Sequence, residues 1–563
     1  MNVSTKRHFA FDIKWIIILA IVAFLLVFQV FPLLYMIYRS FFVTGAFSLS
    51  AFERIYTYPL NWSALKNTLI ASSFTMVFGT LLAFPLAWLV GRTNMYFRKF
   101  FRSLFVLTYM VPPYLGAMAW LRLLNPKVGN LNVFLRDLLG LAENPFNIYS
   151  LGGLIWVLTS FYYPYAFITI SRAMEKMDPS LEEASKISGA SPLRTLLTIT
   201  LPMMTPSIVA GALLVFVSAA SCFGIPSIVG TPGNIHTVTT RIVNYVSIGN
   251  AEGLTDATSL AIFLMLMAVL IMYGSTFATG RKQYITVSGK STRPNIVDLG
   301  KWRVPITGVV VVFAAIVIIL PFATVALTSI TQNLGKSLLA QGNITFKHWE
   351  KVLTRADILR SVKNSLLYGA VAATAGVLIA CVMAYLLQRT QTKGRQIPDF
   401  LITLGSSSPS VVIALGLIMT MNGRFGIRIY NTPYIMIIAY LIKYQMMGMR
   451  TVISAMSQIH VSLEESSQVS GASWLRTMRN ITLPLIGPSV AAGWFLIFIP
   501  SFYELSMSSL LYSSATKSIG VQLHEYWTFT SQQQASAMAF GILMIVVALN
   551  FALNRLTKGN FSI

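Results

Sequence analysis

Hydrophobic residues in this chain fall in long runs separated by short polar stretches. A helix needs about 20 apolar residues to cross about 30 Å of hydrocarbon. Runs of that length predict six spans near 15–37, 65–90, 101–123, 151–171, 207–227 and 258–280. Six more are predicted near 304–328, 365–388, 398–421, 433–455, 486–508 and 535–554. The pattern therefore predicts an all-α, polytopic membrane protein of about twelve transmembrane helices.

The pattern also repeats. Offset by 297 residues, KNTLIAS from Lys66 returns as KNSLLYG from Lys363, and LAFPLAWLVGRT from Leu82 returns as IACVMAYLLQRT from Ile379. Pro112 falls on Pro409, after which the offset drops to 282 and the surplus of the first half lies in the segment 124–150. Each half is expected to be one six-helix unit, 1–282 and 283–563. Six is even, so the two units share an orientation and form parallel repeats. Residues 281–303, with Arg281, Lys282, Lys290, Arg293, Lys301 and Arg303, read as a cytoplasmic linker.

Composition sharpens this reading. Of 563 residues, 55% are hydrophobic and 11% charged, at a mean hydropathy of +0.67, whereas soluble proteins carry about 25% charged residues. The net charge of +24 would suit nucleic acid, but Lys and Arg also accumulate in cytoplasmic loops of membrane proteins. With both termini inside, most of the 42 basic residues fall on the cytoplasmic side, although the outward segment 329–363 is itself basic. Lys6, Arg7 and Lys14 precede an apolar run too long for a signal peptide, so a retained first helix is expected. Cys222 and Cys381 both lie in predicted spans, as packing residues rather than a disulfide or zinc site. No extramembrane segment is long enough for a conventional soluble domain.

One repeated polar stretch carries chemistry. SLEEASKISGASPLRTLLTITLP (Ser180–Pro202) and SLEESSQVSGASWLRTMRNITLP (Ser462–Pro484) lie between the fourth and fifth predicted spans of their halves, on the cytoplasmic side. Ser180 with Glu183, and Ser462 with Glu465, have the spacing of a capping box that starts a short helix. Gly189 and Gly471 permit a reversal at positive φ. Ser191-Pro192 then supplies a cap and a first-turn proline for a second helix, while Ser473-Trp474 specifies that restart less sharply. Leu201-Pro202 and Leu483-Pro484 mark entry to the next span.

This arrangement resembles the E-A-A-x-x-x-G-x₉-I-x-L-P signature of the permease subunits of binding-protein-dependent ABC importers, which have the MetI-like type I fold. Glu183, Ala184, Gly189, Ile199, Leu201 and Pro202 match it, with Ser185 for the second alanine. Glu465, Gly471, Ile481, Leu483 and Pro484 match again, with Ser466 and Ser467 for both alanines. Glu182 and Glu464, which precede the motif, belong to the same loops. The resemblance covers essentially the whole chain as a fusion of two permease units. It implies that each loop docks on one of two cytosolic ATPase subunits, which bind the ATP and Mg; that an external solute-binding protein delivers cargo; and that this chain is neither an enzyme nor bound to a cofactor. A bacterial inner membrane with both termini cytoplasmic is the implied location. The alternative for the loops is that of interfacial amphipathic helices with Glu183 and Glu465 as caps.

Other motifs are weaker. Gly289-Lys290-Ser291 and Gly335-Lys336-Ser337 end like a P-loop, but Tyr284 and Ile330 stand where its first glycine is required. The basic loop from Gly91 resembles in charge one of the major-facilitator transporters but lacks its acidic residue and second glycine. Histidines form no cluster, and His524 and Glu525 read as solvated loop residues.

Charged groups within spans are costly and thereby become functional candidates. Lys443 in the tenth span and Glu504 in the eleventh either pair with each other or face a pathway between the halves. Tyr162, Tyr163 and Tyr165 occupy places equivalent to Tyr444, Gln445 and Met447, and Tyr503 adjoins Glu504. Among importer permeases the fused form and the stretch from Glu504 resemble the ferric-iron group and its relatives for phosphonates, sugar phosphates and polyamines. Tyr and Glu oxygens suit Fe³⁺, and Lys443 suits a phosphoryl group; the sequence leaves both open. A secondary transporter driven by an ion gradient is the rival class.

Overall fold

The computed structural model describes residues 13–42, 45–280, 296–336 and 340–556. Among them, nine helices are long and apolar enough to cross a membrane, and two bent pairs bring the total to eleven. The tenth expected span is the 26-residue helix Pro433–Gln458. At 1.5 Å per residue it is about 39 Å long, enough to cross, and Lys443, Gln445 and Arg450 lower its apolarity.

The third and ninth spans are not the straight helices expected from their runs. Arg98–Met110 and Pro113–Leu124 meet at 101°, and Gln396–Ser407 and Ser410–Thr420 meet at 107°. A residue before proline is pushed out of the helical region. Val111 and Pro112, each followed by a proline, accordingly have ψ 136° and 122°, and Ser408, before Pro409, has ψ 140°. The second legs then lie within the protein, with Tyr114–Leu124 and Val411–Thr420 buried throughout.

Each bent pair still carries the chain across. A Cβ on Gly79 would lie 3.6 Å from Tyr163 Cα, and Arg92 at the end of the second span (Pro59–Arg92) bonds Met174 at the end of the fourth (Leu151–Lys176). These two spans therefore run parallel, and the chain between them must recross. The eighth (Ala356–Arg389) and tenth spans repeat the relationship through Arg389 and Met456.

The first span of each half lies against the opposite half. In Lys14–Phe41, Gln29 Nε2 donates to the Leu401 carbonyl at 2.6 Å, and Phe31 and Tyr35 pack edge-on against Phe425. In Gly300–Ser329, Phe313 packs edge-on against Phe105 and Tyr163, and Phe322 against Phe161. The halves thus exchange arms.

Most of the predicted linker, including Arg281, Lys282, Lys290, Arg293 and the stretch Gly289-Lys290-Ser291, lies outside the described residues, as do Lys6, Arg7 and Ser337. Its end is held against the loop after the second span: Val297 bridges Thr93, Asn94 bonds Asp298 at 2.6 Å, and the Arg303 guanidinium lies 3.8 Å from the Tyr96 ring centre.

His524 and Glu525 are not solvated loop residues. They end the helix Ile519–Glu525, where His524 Nε2 lies 3.2 Å from Ser227 Oγ of the other half and Glu525 pairs with Lys517 at 2.6 Å. A clasp repeated in both halves positions this helix and its counterpart Val238–Ser247. Asn67 donates to the His236 carbonyl and Thr68 Oγ1 accepts from Val238 N; Asn364 donates to the Lys517 carbonyl and Ser365 Oγ accepts from Ile519 N. These are the Asn-Thr and Asn-Ser of the repeated KNTLIAS and KNSLLYG.

Candidate functional site

The two repeated loops fold alike. Short helices Ser180–Ile187 and Val461–Val469 are followed by Gly189 at φ +81° and Gly471 at φ +83°, in the left-handed region that glycine enters without strain. Ser191 accepts from Arg194 N, and Ser473 accepts from Arg476 N, so both restarts are capped by serine. The capping boxes expected at Ser180 and Ser462 are not formed. Asp178 Oδ1 accepts from Ser180 N, and His460 Nδ1 accepts from Ser462 N; these residues lie just before each helix and satisfy its first amides.

No break separates each second short helix from the next span, contrary to the expected entry at Leu-Pro. Pro192–Ala220 and Trp474–Phe502 are continuous, and π-helical turns at Leu196–Thr200 and Met478–Thr482 precede Pro202 and Pro484. A widened turn accommodates a proline that lacks an N–H and crowds the preceding turn. Ile199 and Ile481 are half-buried in these turns; Leu201 is half-buried, Leu483 is exposed, and both prolines are exposed.

The serines replacing the signature's second alanine act within the loop. Ser185 Oγ lies 2.8 Å from Thr195 Oγ1, and Ser467 Oγ lies 2.9 Å from Thr477 Oγ1, linking the two short helices of each copy. Ala184 and Ser466 are exposed.

The paired glutamates divide their roles. Glu183 and Glu465 are exposed, whereas Glu182 and Glu464 are buried. Glu182 accepts from Thr200 at 2.8 Å and faces Arg92 at 3.5 Å; Glu464 accepts from Thr482 at 3.2 Å and from Arg389 Nε at 3.0 Å. Each arginine also donates to carbonyls ending the neighbouring long span: Arg92 to Met174 and Met177, Arg389 to Met456 and Ile459. The loop helix is therefore fixed to two transmembrane helices at once. Sequence reasoning missed these arginines, although GRT and QRT at the ends of the repeated span carried the signal.

The outer face of each loop is apolar. Ile187 and Val469 are 88% and 89% exposed, and Leu193 and Leu475 are 64% and 69% exposed. Apolar groups grouped on a surface mark an interaction site, and here they recur at equivalent positions of two divergent copies.

A second constellation lies inside the membrane, between the halves. Tyr162 is buried and stacks obliquely on Tyr165, whose ring centre is 4.7 Å from Tyr109. Tyr503 lies within electrostatic range of Tyr109, Tyr162, Tyr165 and Tyr444, and its carbonyl accepts from Tyr114 OH at 3.0 Å. Tyr163 is turned elsewhere, onto Phe105 and Phe313.

Glu504 accepts from Met507 N and Ser508 N at 2.8 Å each and from Ser508 Oγ at 2.6 Å. Lys443 Nζ donates to the Ser406 and Ser408 carbonyls at 3.0 and 2.7 Å. It thereby satisfies carbonyls freed where the ninth span breaks at Pro409. The two residues are electrostatic neighbours, but among the described residues no ion pair joins them within 4.0 Å. Tyr114 and Tyr109 were not singled out by sequence, because single tyrosines in apolar runs carry no positional signal.

The family model for the binding-protein-dependent transport system inner membrane component matches residues 79–327 and 372–559. The Fe(3+)-transport system permease protein FbpB 2 of Haemophilus influenzae is 26% identical over 522 residues, covering 92% of this chain and 93% of that protein. The ferric transport system permease protein FbpB of Actinobacillus pleuropneumoniae is 24% identical over 537 residues, covering 94% and 76%. Among solved structures, a bacterial alginate ABC transporter in complex with an alginate pentasaccharide-bound periplasmic protein is similar at 20% identity and a TM-score of 0.41, covering 49% of this chain and 96% of that one.

Proposed function

The chain belongs to the family of binding-protein-dependent transport system inner membrane components, and from that premise we propose that its two loops receive two cytosolic ATPase subunits that power import of ferric iron. In this reading residues 1–282 and 283–563 are the two permease units, both termini are cytoplasmic, and ATP and Mg bind the partners. An external binding protein hands cargo to the opening between the halves. The observation that carries the reading is the matched exposure of Ile187 with Val469 and Leu193 with Leu475 on helices fixed from behind by buried arginines. An apolar knob docks in a cleft, and a rigid mount transmits the cleft's movement.

The mechanism follows from those mounts. When the ATPases close on ATP, each loop helix moves with its docking cleft. Arg92 and Arg389 carry the displacement to the second and fourth spans, and to the eighth and tenth. Rigid-body rotation of the halves then alternates access to the tyrosine-lined region between them. Hydroxyl and carboxylate oxygens around Tyr503 and Glu504 suit a hard trivalent cation.

The test is uptake by reconstituted vesicles. Ile187→Asp with Val469→Asp is expected to abolish co-purification of the ATPase subunits and ATP-dependent uptake of radiolabelled ferric iron. Uptake by the chain alone, driven by an ion gradient, would overturn the importer reading. Preference for a phosphonate, a sugar phosphate or a polyamine over iron would overturn only the cargo.

A further inference from the structure

The loop after the second span meets the start of the second half's first span at one corner of the molecule. Tyr96 N donates to Thr307 Oγ1 at 3.4 Å, and Arg98 Nη1 donates to the Thr93 carbonyl at 3.2 Å, beside the bridge from Thr93 to Val297. Thr93 follows Arg92, which faces Glu182, so the corner lies on the same membrane face as the two repeated loops. Arg98–Met110 and Gly300–Ser329 both begin here, which puts it at the depth of lipid headgroups.

Four cations gather there. Arg98 and Lys99 open one span, Lys301 and Arg303 the other, and none of them makes an ion pair within 4.0 Å among the described residues. Asp298 lies within electrostatic range of Arg303, but its Oδ1 accepts from Asn94 Nδ2 and Gly300 N. Glu175 is held by Arg102.

Aromatic rings project from the same corner. Phe97 is 72% exposed, and Phe100 and Trp302 are exposed as well. Phe97 sits at φ +55°, where a bulky residue is strained; the repeat has Gly394 at this place, at φ +81°. The turn itself asks only for glycine, so the exposed ring serves something outside the chain's own packing. Val304, Val309 and Val312 extend the exposed apolar surface along the span.

We propose that this corner binds an anionic phospholipid of the adjoining leaflet, its phosphate among the four cations and its chains along Phe97, Phe100 and the valines. Clustered Lys and Arg at span ends attract anionic headgroups, and aromatic rings favour the same depth. A protein partner would account for the cations but not for an apolar surface that runs on into the hydrocarbon. The lipid ties the exchanged arm of the second half to the loop that continues from Arg92. The opposite corner keeps the outline: Lys14-Trp15 opens the other arm, a Cβ on Gly394 would lie 3.8 Å from the Trp15 ring, and Arg395 and Ile397 stand where Arg98 and Phe100 do. Lipid binding here depends on the membrane-spanning fold and is independent of cargo and of ATPase docking.

The experiment titrates phosphatidylglycerol into phosphatidylcholine nanodiscs holding the full chain and counts the lipid retained by native mass spectrometry. Lys99→Gln with Lys301→Gln, both at exposed positions, is expected to weaken phosphatidylglycerol retention about tenfold and to leave phosphatidylcholine retention unchanged. Lys99→Arg with Lys301→Arg should keep it. Phe97→Gly should fold at least as well, because glycine takes this φ without strain, and should also retain less phosphatidylglycerol. Undiminished retention in the double Gln variant would overturn the proposal, as would an equal loss of both lipids. Loss of ATPase co-purification in that variant with lipid retention intact would overturn it too, by assigning the corner to a protein partner.

Discussion

Arg389 Nε donates to Glu464 Oε1 at 3.0 Å, and both side chains are more than nine-tenths buried. The same arginine holds the last carbonyls of the tenth span, so one guanidinium joins the ends of two transmembrane helices to the loop helix. Arg92 and Glu182 repeat the arrangement with a looser 3.5 Å contact.

Removing one partner of a buried pair leaves a charge without compensation, at a cost of about 3–5 kcal/mol. Arg389→Met is therefore expected to lower thermal stability strongly, and more than Arg92→Met, whose pair is looser. Arg389→Met with Glu464→Leu should recover most of the stability yet leave ATP-dependent uptake impaired, because the mount is gone. Full uptake by a stable double variant would refute the transmission role.

Gly189 and Gly471 have open space where a Cβ would point, so only backbone strain opposes substitution. A β-branched residue at positive φ costs about 1–3 kcal/mol. Gly189→Val or Gly471→Val should reduce ATPase co-purification while the membrane part stays folded, and Gly→Asn should be tolerated, since Asn enters this region more readily. Equal behaviour of Val and Asn would show that the turn is not decisive.

A Cβ on Gly405 would collide with the carboxamide of Gln29. Gly405→Ala is expected to push that carboxamide off the Leu401 carbonyl and so loosen the first span's hold on the opposite half, at an overpacking cost of about 1–3 kcal/mol. Adding Gln29→Ala should relieve the clash. Disulfide trapping between engineered cysteines on Lys14–Phe41 and Gln396–Ser407 would report the displacement, and unchanged trapping in Gly405→Ala would contradict the packing.

Asn364 donates two bonds, to the Ala515 and Lys517 carbonyls, whereas Asn67 Nδ2 donates to one, the His236 carbonyl. Asn364→Ala should therefore destabilise more than Asn67→Ala, at about 1 kcal/mol per lost bond. Chemical unfolding of the two purified variants gives the comparison.

Burial lowers the His524 pKa below its ordinary value of 6.5, with a smaller opposing effect of Glu525. A base with a depressed folded pKa contributes stability that is complete above the unfolded value and lost as pH falls through the folded one. Acidification below pH 6.5 should thus lower the stability of the fold. His524→Gln should make stability less dependent on pH in that window, and an unchanged pH profile would rule out this group as its source.

The duplicated loop was legible in sequence because its signature is local: a glycine at a turn, a serine cap and proline spacing constrain a few consecutive residues. The repeat and the membrane-spanning character of the long runs were legible for the same reason, since hydrophobic run length and duplicated words need no tertiary knowledge. The caps were misassigned because Asp178 and His460 lie just outside the duplicated words and compete for the same amides. Pro112 and Pro409 were visible as a repeated pair, but the right-angle breaks they cause were not, because hydropathy averages across a proline.

The amino-acid order by itself determined an all-α, polytopic membrane protein with a loop signature written twice, through hydrophobic length and local backbone preference. Only the tertiary structure decided that Glu182 and Glu464 face inward while Glu183 and Glu465 face outward, that the first span of each half grips the other, and that Lys443 holds carbonyls rather than Glu504. Those outcomes depend on partners far away in the chain: a buried charge goes where a distant arginine or freed carbonyl can satisfy it, and no local pattern records that distance.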